Sequence, residues 1–123
     1  MAQHPHLISI IDDDDSLRTA LAGLVRSLGY RARAFASAED FLAAGAAPLS
    51  ACIVSDIHMP GLSGIELKQR LAQAGCVVPM IMITARSEAG LAERAIASGA
   101  FCLLQKPFAA EALIDCLDKA LAG

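Results

Sequence analysis

Cys52-Ile53-Val54-Ser55-Asp56-Ile57-His58-Met59-Pro60-Gly61 is a short apolar run that ends in a carboxylate and then breaks sharply. The apolar residues 51–54 suit a strand buried on both faces, and Pro60-Gly61 is turn chemistry that stops it. Asp56 therefore falls where a buried strand ends, an expensive place for an anion without a partner. Either cations or hydrogen-bond donors meet it there, or it performs chemistry.

The same grammar repeats on both sides of Asp56. Residues 7–11 form a mostly apolar run closed by Asp12-Asp13-Asp14-Asp15. Leu17, Ala20, Leu21, Leu24, Val25 and Leu28 follow at helical spacing up to Gly29. Residues 30–35 alternate Arg31 and Arg33 with Ala32 and Ala34, the pattern of an edge strand. Ser37-Ala38-Glu39-Asp40 has capping-box form and predicts a short helix to about Gly45. Past Asp56, Ser63-Gly64-Ile65-Glu66 is a second such box, opening a helix with Ile65, Leu67, Leu71 and Ala72. Residues 77–83 are another apolar run, interrupted only by Pro79 and ended by Thr84-Ala85-Arg86. Ser87 is expected to cap a fourth helix through Leu91, Ala92, Ala95 and Ile96, stopping at Gly99. A fifth strand over 101–104, then Lys106-Pro107-Phe108 and a helix from about Ala109 to Leu121, complete the chain.

Five β-α pairs predict an α/β fold with a parallel sheet covered on both faces. The first, third and fourth strands are continuously apolar and belong in the centre, whereas the second belongs at an edge. The order 2-1-3-4-5 satisfies this with right-handed crossovers. The 123 residues amount to one domain, expected to span 1–123. A net charge of −3 with scattered Lys and Arg gives no field for nucleic acid or an anionic membrane. Residues 1–7 lack the pattern of a signal peptide, and no run approaches the roughly 20 apolar residues of a membrane span. The four cysteines show no C-x-x-C pairing and read as free thiols in a cytoplasmic setting.

In such a sheet every β-α junction lies along one rim, and ligands bind where the strand order reverses. That rim receives Asp12 and Asp13, Asp56, Thr84 and Lys106. Three converging carboxylates repel one another, and a divalent cation removes the conflict. Oxygen ligands suit Mg²⁺ or Mn²⁺. Asp13, Asp56 and the His58 backbone carbonyl can supply three ligands, with Asp12 holding a ligand water. Lys106 adds a positive charge, so the loaded site is neutral overall. This is a layout for phosphoryl transfer to a carboxylate, with Thr84 Oγ1 and the Ala85 N–H as natural donors to the transferred group.

Ile10-Ile11-Asp12-Asp13, the stretch from Ser55 to Gly64, Ile83-Thr84-Ala85 and Lys106-Pro107-Phe108 together resemble the receiver domain of bacterial two-component response regulators. The likeness covers about Leu7 to Leu121, and the Met-Pro-Gly-Leu-Ser-Gly stretch is most similar to regulators of the nitrogen-fixation type. Those usually carry a C-terminal helix-turn-helix DNA-binding domain, and no such segment lies within these residues. The resemblance implies a flavodoxin-like (βα)5 domain phosphorylated by a sensor histidine kinase or a histidine phosphotransfer protein. Asp56 is then the acceptor, with Asp12, Asp13 and the His58 carbonyl at Mg²⁺. Thr84 binds the phosphoryl group after moving towards it, Lys106 pairs with it, and Lys106-Pro107 becomes a candidate cis peptide. Phosphorylation would switch the surface around the fourth helix, fifth strand and fifth helix to control an output domain or partner, with a homodimer allowed. The domain would be a signalling phosphoacceptor that assists its own chemistry, not an enzyme.

One position departs from the family. The switch usually pairs the threonine with an aromatic three residues before the lysine, and here that residue is Leu103. Phe101 can stand in only if the strand bulges. A degenerate receiver that binds partners without phosphate is therefore the alternative reading. A flavin carrier of the same fold is disfavoured by four aspartates in the first loop, and a dehalogenase-type phosphatase by histidine at position 58.

Several residues also have plainer readings. Asp14 and Asp15 suit a helix N-terminus. His58 and Arg86 are expected at the site entrance, where they can tune phosphoryl lifetime, with the imidazole pointing outwards. His4 and His6 read as part of a loose terminus, and Met80 and Met82 as core.

Overall fold

A computed structural model describes residues 6–122. Its sheet is parallel and five-stranded, in the order β2-β1-β3-β4-β5. The strands are β1 (Leu7–Ile11), β2 (Arg31–Phe35), β3 (Cys52–Asp56), β4 (Met80–Thr84) and β5 (Cys102–Gln105). The helices are α1 (Asp15–Ser27), α2 (Ala38–Ala43), α3 (Gly64–Gln73), α4 (Leu91–Ala97) and α5 (Ala110–Ala122), with a 3-10 turn at Ala47–Leu49. This is the flavodoxin-like (βα)5 sandwich expected from the sequence.

Every residue of β1, β3 and β4 is buried, while β2 and β5 are partly exposed edges. Successive strand residues point to opposite faces, so neighbours feed different cores. Ile11, Ile53 and Met82 pack with Phe41, Leu67 and Leu91 on one side of the sheet. Ile10, Val54 and Ile83 pack with Leu21, Val25 and Leu113 on the other. Clamped from both faces, the central strands hold their carboxyl ends in place.

Local chemistry starts the helices. The Asp14 side chain accepts from the Ser16 and Leu17 N–H groups, which makes it the cap of α1. Ser37 accepts from Asp40 N ahead of α2. Ser63 and Glu66 make both bonds of a capping box at α3.

The structure also corrects several readings. Ser87 does not cap α4: the helix starts at Leu91 behind Gly90, which has φ +81 and makes no side-chain cap. The residues before Gly90 are used as a loop along the rim, so the helical turn begins later. Ala92 and Ile96 face solvent, and α4 buries only Leu91 and Ala95. Likewise Ala72 is exposed, and α3 buries Lys68 in its place. Val77 is 89% exposed, because Pro79 has no N–H to donate and β4 begins after it. His4 lies outside the described residues. The His6 carbonyl accepts from Arg31 N at 3.0 Å, so it extends the β1–β2 ladder instead of lying loose. Cys52, Cys76, Cys102 and Cys116 are free, and burial pushes the Cys52 thiol up to about 12.

Candidate functional site

Asp12 follows β1, Asp56 closes β3, Thr84 closes β4 and Lys106 follows β5, all at the carboxyl ends of parallel strands. Strand order then does what sequence separation conceals: it makes β1 and β3 neighbours and places β4 beside β3. One oxygen from each of Asp12, Asp13 and Asp56 lies within 4.8 Å of the others. Asp12 is 1% exposed and Asp56 6%, whereas Asp13 is open to solvent.

Lys106 Nζ stands 3.4 Å from Asp12 Oδ2 and 3.4 Å from Asp56 Oδ2. One ammonium thus shares two buried carboxylates. The remaining donors are backbone or peripheral: Asp14 N–H reaches Asp12 Oδ1 at 2.9 Å, and Arg18 Nη1 holds the Asp12 carbonyl at 2.7 Å. Burial pushes the Asp56 carboxyl above its ordinary value and Asp12 pushes it further, against Lys106 and the His58 N–H. The anion is therefore under-compensated. Three convergent hard oxygens, one of them on a carboxyl that resists ionising, fit a small divalent cation.

The backbone below the site is tightly constrained. Gly64 N–H donates to Ile57 O at 3.0 Å, which brings the start of α3 over β3. A Cβ on Gly64 would stand 2.5 Å from the Asp56 carbonyl oxygen, so any larger residue pushes on the backbone of the central carboxylate. Lys106-Pro107 is cis.

Thr84 is buried at the rim, with its hydroxyl engaged locally: Oγ1 accepts from Arg86 N at 3.0 Å. Ala85 is exposed and starts the loop. His58 and Arg86 line one cleft of about 420 Å³ together with Asp13, Met59, Pro60 and Ser63, so both stand at the entrance. The imidazole is not directed outwards as expected. Its Nε2 lies 3.5 Å from Glu88 Oε1 and is buried without a hydrogen bond. Glu88 also stands 3.5 Å from Arg86 Nη1 and 3.7 Å from Arg94 Nη2, and this charge bridges the loop, α4 and His58. Nothing local in the sequence marks Glu88. Arg18 is equally unmarked, and Gly64 reads from sequence only as part of a capping box and a motif, since its approach to Asp56 is set by the path of the chain.

Leu103 lines a second cavity of about 210 Å³ with Thr84, Ser87, Glu88 and Gln105. The β4–β5 register runs unbroken from Ile81↔Cys102 to Thr84↔Gln105. With no bulge, Phe101 stays outside this cavity and does not replace the missing aromatic.

Residues 8–118 match the family described as the response regulator receiver domain. The chain belongs to that family. Relatives include the transcriptional regulatory protein TdiR of Thauera aromatica, 36% identical over 115 residues that cover 94% of this chain and 51% of TdiR. FixJ of Azorhizobium caulinodans is 40% identical over 107 residues, covering 87% of this chain and 51% of FixJ, in keeping with the nitrogen-fixation likeness. The chain thus spans about half the length of these curated relatives. Among solved structures, the crystal structure titled FIXJ-N superposes with a TM-score of 0.86 at 31% identity, covering 99% of this chain and 96% of that one. Response regulator StyR gives 0.88 at 36% identity, covering 98% and 60%. This chain is a two-component receiver, a signalling domain whose family takes phosphoryl groups from kinases and uses Mg²⁺ at an acidic pocket. No helix among the described residues is long and apolar enough to cross a membrane.

Proposed function

We propose that Asp56 is the phosphoryl acceptor of this receiver. The observation that carries this reading is the packing of Asp12, Asp13 and Asp56 within 4.8 Å, with Lys106 Nζ at 3.4 Å from two of them. A carboxylate oxygen of Asp56 attacks the phosphorus of a phosphohistidine on a sensor kinase or phosphotransfer protein. The P–N bond breaks, its electron pair returns to the imidazole, and an aspartyl phosphate remains. Asp12, Asp13, Asp56 and the His58 carbonyl would hold Mg²⁺ or Mn²⁺. When bound, that ion supplies positive charge opposite the oxygens of the transferring group.

The chain's own residues do the rest. Lys106 is already between Asp12 and Asp56, and it exchanges a carboxylate partner for a phosphoryl oxygen. Thr84 Oγ1 leaves Arg86 N to donate to another oxygen, and the Ala85 N–H accompanies it. That exchange pulls the loop before α4 and so alters the α4–β5–α5 surface, where an output domain, a partner or a second copy would read the state. We place the domain, over 1–123, in the cytoplasm and assign it no nucleic-acid contact of its own. The intact set of Asp56, Thr84 and Lys106 supports phosphorylation over a phosphate-independent module. Incubation with Mg²⁺ and acetyl phosphate should add one phosphoryl group to the wild type and none to Asp56→Asn, read by mass spectrometry. Equal labelling of both would refute the assignment.

A further inference from the structure

Glu39 lies exposed in the first turn of α2 and is not one of the three clustered carboxylates. Its side chain nevertheless reaches 23 residues along the chain, where Oε2 accepts the Leu62 N–H at 2.8 Å. The neighbouring residue is shaped to admit it. Gly61 has φ +79, and a Cβ there would stand 2.5 Å from Glu39 Oε2. A side chain at 61 would therefore both strain the backbone and displace the carboxylate. The Leu62 bond also draws the Glu39 carboxyl below its ordinary range, as befits an anion that accepts a backbone N–H.

These contacts fall on the loop that joins β3 to α3. Its two ends are secured from within: Gly64 N–H donates to Ile57 O at 3.0 Å, and Ser63 N–H donates to Glu66 Oε1 at 2.9 Å. Glu39 holds the stretch between them from a different helix. That stretch includes His58, whose carbonyl faces the cation in the function proposed above. We infer that Glu39 is a positioning residue for the metal site: its bond to Leu62 fixes the loop that presents the His58 carbonyl, and so sets divalent-ion affinity. Glu39 touches neither ion nor phosphoryl group. The inference rests on the proposed role of that carbonyl.

The hydrogen bond and the charge can be separated by substitution. Glu39→Gln keeps an acceptor oxygen and loses the charge, Glu39→Asp keeps the charge and withdraws the oxygen, and Glu39→Ala loses both. Mg²⁺ affinity would be measured by titration calorimetry without phosphodonor, alongside hydrogen exchange at the Leu62 amide. The expected result is a Kd raised about fivefold in Glu39→Ala and Glu39→Asp, with faster exchange at Leu62, and near-normal behaviour in Glu39→Gln. If Glu39→Gln were weakened like Glu39→Ala while Glu39→Asp kept wild-type affinity, remote charge would explain the effect and the positioning role would be overturned. Wild-type affinity in both Glu39→Ala and Glu39→Asp would overturn it as well. A wild type that binds no Mg²⁺ and accepts no phosphoryl group from acetyl phosphate would instead overturn the proposed function.

Discussion

The rim divides into two halves that are held very differently. On the β1–β3 side, Asp12 and Asp56 are buried, Asp14 caps α1, a complete capping box opens α3, and Gly64 closes on the Asp56 backbone. On the β4–β5 side, residues 85–90 are all exposed, α4 begins without a side-chain cap, and Thr84 and Leu103 line a cavity of about 210 Å³. The first half is fastened by backbone and capping bonds around buried carboxylates, whereas the second is an exposed loop tied through Glu88 to His58, Arg86 and Arg94. That division suits a domain in which the acceptor must be in place before the donor arrives, while the responding loop must not be.

The sharpest way to break the comparison is at Asp56. Asp56→Asn should abolish acetyl phosphate labelling, and in EDTA it should raise the midpoint of thermal unfolding above that of the wild type. Burial raises the Asp56 carboxyl above its unfolded value, so the native state favours the protonated form. Its contribution to stability is present at low pH and is lost as pH rises from the ordinary carboxylate range to the raised value. Neutral, metal-free protein therefore carries the full penalty, which asparagine removes and saturating Mg²⁺ should offset.

A smaller effect is expected at Gly64. Gly64→Ala forces a Cβ against the Asp56 carbonyl, and urea unfolding should show a loss of about 1–3 kcal/mol. An unchanged midpoint would mean that the rigid half yields more easily than its packing implies. Smaller again is the entrance. Substituting His58 and Arg86 together by alanine should alter the rate at which phosphorylated protein loses its label. An unchanged rate would remove both from the tuning role. The mildest case is Leu103→Phe, which fills part of the cavity and should shift stability by less than about 1.5 kcal/mol while leaving the labelling rate unchanged. A large gain in rate would show that the β4–β5 half limits the chemistry.

Much of the fold was legible because the chain is locally consistent. Apolar runs, capping residues and glycine stops agree with the sheet that forms; the order 2-1-3-4-5 was compatible with which runs were apolar and which alternated, and crossover handedness was needed to choose it. The readings that failed did so where loop geometry overrides local signals. Ser87 has the chemistry of a cap, yet the turn at Gly90 delays α4. Val77 continues an apolar run, yet Pro79 keeps it out of the ladder.

The site divides in the same way. Asp12, Asp13, Asp56, Thr84 and Lys106 could be picked out from sequence because each ends a strand, and a parallel sheet delivers all its strand ends to one rim. Residue types and order alone thus determined that Asp12, Asp13, Asp56 and Lys106 meet, with Thr84 on the same rim. Tertiary structure decided how they are held: Lys106 shared between two buried carboxylates, His58 turned onto Glu88, and Glu39 reaching the loop at Leu62. Contacts of that kind join residues far apart in the chain through exact backbone paths, and no local pattern encodes them.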